Sequence, residues 1–136
     1  MNMLKSDDLG KLVLRLAVGI LVLLHGLLKV VNGVGGPESM LVAKGLPGWL
    51  AYGAYLGEVL GPILIVMGTY TRVGALLVIV NMLFAFFLAH GGELTHLTRS
   101  GGWAPELPGM FLFGALAIFF LGAGRFSLSG AGGRYN

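Results

Sequence analysis

Residues 22–30 read VLLHGLLKV, a histidine and a lysine four residues apart inside an apolar run. GEVLGP (57–62) sets Glu58 between two glycines, Asn81 interrupts a second apolar run, and PELPG (105–109) carries Glu106. Arg15 stands earlier in the first run. An imidazole exchanges protons near neutral pH. An ammonium stabilises developing negative charge. A carboxylate relays protons or pairs with either base. Groups of this kind are costly in hydrocarbon, and they mark sites where something polar is bound or moved.

Each residue also has a purely structural role open to it. Lys29 and Arg15 can lie along the apolar phase and lift their charge to the surface. His25 and Asn81 can act as interhelical hydrogen-bonding groups. Glu58 can form an ion pair with Lys29 that does no chemistry. Glu106 suits a helix N-terminus, where negative charge is favoured. HGGELTH places His90, Glu93 and His96 at three-residue spacing, and two histidines with a carboxylate can bind a divalent metal. Gly91 and Gly92 break the helix that would align them, so no metal site is assigned.

The elements that must position these groups follow from composition. The chain has 136 residues, 56% hydrophobic and 11% charged, with a mean hydropathy of +0.86. A soluble domain carries about 25% charged residues. There is no cysteine, which excludes disulfides, thiol redox centres and thiolate metal sites. The net charge of +3 is unclustered, which argues against nucleic-acid binding. A helix needs roughly 20 mostly apolar residues to span a bilayer. Runs at about 12–31, 50–67, 73–89 and 107–121 meet or approach that length. The expected fold is therefore all-α, a single four-transmembrane-helix bundle over 1–136 with a flexible Gly-rich tail at about 127–136.

Orientation follows from Lys and Arg. One side of a four-span chain holds Lys5, Lys11, Arg15, Arg72, Arg125 and Arg134; the other holds Lys29, Lys44 and Arg99. The side richer in base faces the cytoplasm, so both termini are expected there, in a multi-pass inner-membrane protein. On a helix advancing about 100° per residue, Arg15, Gly19, His25, Gly26 and Lys29 share one side of the first span, with Leu and Val opposite. In the second span Pro62 leaves the Glu58 carbonyl without its usual helical donor. His25, Lys29, Glu58 and Glu106 are thus expected to converge in the outer half of the bundle, with Arg15 and Asn81 deeper.

The ordered set LRLAVGILVLLHGLLKV, KGLP, GEVLGPILIVMGTYTRVGALL, GGWAPELPGMFLFGAL and GAGRFSL resembles the DoxX family of small four-helix membrane proteins, from about Leu12 to Leu128. Matching positions are Arg15, His25, Gly26, Lys29, Glu58, Arg72, Glu106 and Arg125; Ser129 stands where the family often has Asp. The resemblance implies a membrane protein, in some members a subunit of a quinone-linked oxidoreductase. On that reading His25, Lys29, Glu58 and Glu106 are catalytic and Arg15 and Asn81 help to hold a cofactor, which is unknown from the sequence, with a quinone the candidate. The expected surroundings are the lipid bilayer, with a second copy or a soluble redox partner. A small-solute or proton-coupled transporter and a non-catalytic membrane anchor or assembly factor are the alternatives from other functional classes.

Overall fold

The computed structural model describes residues 6–136. Ser6 caps the first helix by accepting a hydrogen bond from the Leu9 N–H at 3.2 Å, and Asp7 and Asp8 add negative charge to the first turn. Helix α1 then runs Asp7–Asn32 and ends at Gly33, whose φ of +81° suits glycine. A nine-residue helix, α2 (Gly35–Ala43), and a 3₁₀ turn (Gly48–Gly53) form the connector. The next stretch is continuous but changes pitch: a π segment at Leu56–Leu60 leads into α3 (Gly61–Met67). Helices α4 (Thr71–Ala89) and α5 (Glu106–Leu121) complete the set. No strand is present among the described residues; Leu97 and Trp103 form an isolated bridge in the α4–α5 loop.

The change of pitch has a local cause. Pro62 has no N–H to give to Glu58, and the Gly61 N–H reaches back to the Leu56 carbonyl, five residues away. Such π turns mark a backbone under local constraint and often lie at functional sites. Three helical stretches, Asp7–Asn32, Gly48–Met67 and Thr71–Ala89, are long and apolar enough to cross a membrane. The fourth, α5, is apolar but has 16 residues, about 24 Å of helix.

The helices close into a ring in which α1 packs on α3 and α5, and α4 packs on α3 and α5. Val18 and Val22, Ile65, Val78 and Met82, and Phe111, Ala115 and Ile118 meet at its centre. Leu24, Leu28, Val80, Leu83, Met110 and Phe120 are exposed on the outside, as expected of surfaces that meet lipid. Backbones approach closely where glycines face each other. A Cβ on Gly61 would sit 2.9 Å from the Gly74 carbonyl, and one on Gly74 would sit 2.7 Å from the Gly61 carbonyl. Gly57 packs directly on the Asn81 side chain, and Gly26 directly on the Glu58 carbonyl.

One end of the ring is tied by Arg15, a residue only 1% exposed. Its guanidinium donates to the carbonyls of Ile65 (3.0 Å), Val66 (3.1 Å), Ala123 (3.0 Å) and Phe126 (2.7 Å). The first two belong to the last turn of α3, whose carbonyls lack helical donors and carry the negative end of the helix dipole. The tail expected to be flexible folds back over this end. Asn136 is buried, accepts from the Thr71 N–H and hydroxyl at 3.2 and 2.5 Å, and donates to the Gly130 carbonyl at 2.7 Å. The Leu128 and Ser129 N–H groups donate to the Met67 and Gly68 carbonyls. The glycines make this fold-back feasible: Gly130 adopts φ +71°, which few other residues tolerate.

Arg15→Met should therefore lower unfolding stability in mixed micelles by on the order of 4 kcal/mol, because several buried carbonyls lose their donor. Arg15→Lys should recover only part of the loss, since an ammonium lacks the planar fork. Wild-type stability for Arg15→Met would show that the clamp carries no energy.

Candidate functional site

At the end opposite Arg15, the Lys29 ammonium donates to Glu58 Oε2 in a direct ion pair. The two residues come from the two elements that touch at Gly26, so the pair depends on that contact. A side chain at residue 26 would meet the Glu58 backbone and the Val59 side chain and push α1 away from the π segment. The Tyr55 hydroxyl donates to the Lys29 carbonyl at 3.1 Å and holds the end of α1 to the same segment. Burial across the pair is uneven: the Glu58 side chain is 7% exposed and that of Lys29 26%.

Beside the pair lies a cavity of about 530 Å³, within the size range of small-molecule sites. Its walls come from every part of this end: α1 (His25, Lys29), α2 (Pro37, Met40, Leu41), the segment 50–58, α4 and its cap (Leu76 to His90) and the start of α5 (Leu107, Pro108, Phe111). Most of the lining is aliphatic or aromatic. The ionisable and amide groups on it are His25, Lys29, Glu58, Asn81 and His90. The His25 ring stands edge-on to Phe111, with centroids 5.7 Å apart at 73°. The connector closes one side through a small core of Val34, Leu41 and Ala51, packed on Leu46, Leu50, Tyr55 and Leu88.

Of the six residues singled out in the sequence, four share this cavity: His25, Lys29, Glu58 and Asn81. Glu106 sits at the exposed N-terminus of α5, its carboxylate turned over Gly102 in the preceding loop; its neighbours Leu107 and Pro108 line the cavity. Arg15 lies 14 residues back along α1, about 21 Å away, and its partners are the four carbonyls named above. Asn81 is not below the cavity but on its wall, pressed against Gly57. His90 was weighed in the sequence only as a metal ligand, yet it lines the cavity and pairs through Nδ1 with Glu93 Oε2 at 3.0 Å. No cluster of three or more His, Cys, Asp or Glu able to hold a metal occurs among the described residues.

Comparison with known proteins shows the family of the chain. The family model described as DoxX matches residues 10–91, the stretch that contains the Lys29–Glu58 pair, His25, Asn81 and His90. The chain is 37% identical over 84 residues to a Bacillus subtilis protein named "Putative oxidoreductase CatD". That match covers 62% of this chain and 58% of the Bacillus protein, so the chain spans under two thirds of this relative. It is 30% identical over 127 residues to a protein of Haemophilus influenzae described as an uncharacterized protein, covering 85% of this chain and 84% of that one. No solved structure matches it.

The uneven burial of the pair makes its two truncations unequal. Lys29→Met strands a carboxylate that water barely reaches, and the cost should be about 3–5 kcal/mol. Glu58→Gln leaves an ammonium that can lift toward the surface, and it should cost clearly less. The double change Lys29→Met with Glu58→Gln should return most of the stability. Equal losses for both single variants in micelle unfolding would contradict the burial asymmetry.

Proposed function

Because the chain belongs to the DoxX family, we propose that it is a multi-pass protein of the cytoplasmic membrane whose cavity takes the ring of a quinone, as a subunit of a membrane oxidoreductase system. The observation that carries the reading is the cavity itself. It is an apolar slot of about 530 Å³ with a carboxylate, an ammonium, two imidazoles and an amide on its wall. A quinone ring is flat and apolar with a carbonyl at each end, so it needs that combination. The printed name of the Bacillus relative, an oxidoreductase, points the same way.

Reduction of a quinone to a quinol takes up two electrons and two protons. In this reading His25 hydrogen-bonds one carbonyl and exchanges a proton with it, since an imidazole changes charge near neutral pH. Lys29 supports negative charge developing on that oxygen. Glu58 holds Lys29 in place, Asn81 orients the ring, and the two protons taken up come from water at the Lys29 end, one of them through His25. The electrons come from a soluble redox partner that docks on the membrane protein.

Four spans carry the chain across the bilayer: α1, 48–67, α4 and α5. Helix α5 is short for a core of about 30 Å, and local thinning accommodates the difference. Among the described residues the Arg15 end holds Lys11, Arg15, Arg72, Arg125 and Arg134 against Lys29, Lys44 and Arg99 at the other, and this excess of base supports cytoplasmic termini with the cavity in the opposite half of the membrane.

Decylubiquinone should bind the protein in nanodiscs saturably and near one to one. Ala54→Phe, which fills the cavity, should abolish that binding, and Glu58→Gln should weaken it. Absence of saturable binding to the unaltered protein, or equal binding to Ala54→Phe, would end the quinone reading. The native lack of cysteine permits a clean topology test. In whole cells Thr95→Cys should react with an impermeant thiol reagent, whereas Ser129→Cys should react only after lysis; the reverse pattern would invert the orientation.

A further inference from the structure

His90 ends α4 and belongs to two surroundings at once. The residue lines the cavity, and its Nδ1 lies 3.0 Å from the carboxylate of Glu93, a side chain 51% exposed. The turn that joins them is built into the sequence. Gly91 and Gly92 follow the helix, and the Glu93 N–H donates back to the His90 carbonyl at 3.0 Å. That return folds the carboxylate over the ring. With Nδ1 engaged by Glu93, Nε2 is the ring nitrogen not taken by that bond.

We propose that His90 and Glu93 form a proton-transfer dyad that connects the cavity to water at the Lys29 end of the bundle. Only the identity of the cavity's occupant rests on the quinone reading; the dyad itself rests on the geometry of the α4–α5 turn. A hydroxyl in the cavity gives its proton to Nε2. The Nδ1 proton passes to the Glu93 carboxylate, which releases it to water. One proton leaves the cavity, one reaches solvent, and the ring ends as the other tautomer; the same steps reversed bring a proton in. A wholly buried cavity acid would have no such outlet, and Glu58, 7% exposed and held by Lys29, lacks one.

The charges that surround His90 are few and identifiable. Glu93 is its partner in the loop. His25 and Lys29 on α1 and Glu58 on the π segment share the cavity with it. Lys44, at the end of α2, lies over the Phe87 ring of α4 at 4.9 Å, one turn before His90. Of these groups, Glu93 is the one in hydrogen-bond contact with the ring.

Hydrogen–deuterium exchange at the imidazole C2 position, read by mass spectrometry, reports protonation and accessibility for His25, His90 and His96 together. Measured across pH on the full chain in nanodiscs, the Glu93→Gln variant should change the exchange profile of His90 and leave that of His25 unchanged, while Glu93→Asp should restore it. Decylubiquinone should slow exchange several-fold at both His25 and His90 and leave His96 unaffected. An unchanged His90 profile in Glu93→Gln would overturn the dyad. Protection of His25 without His90 would also overturn it and leave the quinone reading standing. Protection of neither, with the His90 profile still moved by Glu93→Gln, would support the dyad and overturn the quinone reading.

Discussion

The bundle depends on how closely α1 can approach the stretch 56–67. Gly26 lies directly against the Glu58 carbonyl, and at Gly19 a Cβ would stand 3.3 Å from the Pro62 carbonyl. Arg15, Gly19, Val22 and Gly26 follow one another on a single buried stripe of the helix. Small residues on such a stripe let backbones meet in an apolar medium, where hydrophobic burial gives little drive to associate. The approach puts Lys29 within reach of Glu58 at one end and Arg15 within reach of the last carbonyls of α3 at the other. Without it both cations would lack their partners.

The two cations illustrate different solutions to one cost. Arg15 is almost fully buried and meets only carbonyls. A guanidinium suits that task, because its planar donors can serve several acceptors at fixed angles and it is weakly hydrated. Lys29 is a point charge on a flexible stem and meets a single carboxylate. Arg15 cannot leave its carbonyls without opening α3 and the C-terminal segment together. The same helix thus carries a four-carbonyl tie at one end and a single ion pair at the other, and the cavity lies at the ion-pair end.

Much of this was legible in the residues. Opposite charges in two neighbouring apolar runs must pair, because isolation is too costly, and Lys29 with Glu58 follows. Pro62 announced a disturbed backbone at Glu58, and the π turn is the form that disturbance takes. Other features carried no readable signal. Carbonyl partners are present at every residue, so nothing in the sequence marks Ile65, Val66, Ala123 and Phe126 as those of Arg15. Helix α5 is apolar all round, so it has no polar face to report its rotation. Depth alone suggested that Glu106 joins the site, whereas the loop holds it at the exposed helix end. The tail reads as mobile from its glycines, but those glycines supply the turns that bring Asn136 to Thr71.

Two devices open the cavity, and both are forms of missing bulk. On the wall between the π segment and α4, Gly57 takes the Asn81 side chain directly against its backbone. The amide is thereby held flat on the wall, with no side chain from residue 57 to cover it. On the connector side, the small core of Val34, Leu41 and Ala51 packs α2 against the 3₁₀ turn rather than into the centre of the bundle. The main core, from Val18 to Ile118, closes the bundle below. An apolar space between two separately packed cores is not filled by relaxation of either, because each already satisfies its own contacts at the density of a protein interior. The polar groups on its wall are then held by contacts outside the space: Lys29 and Glu58 by the α1 approach, Asn81 by Gly57, and His90 by the turn at Gly91 and Gly92. Support of the wall groups from outside the space is what a preorganised site requires.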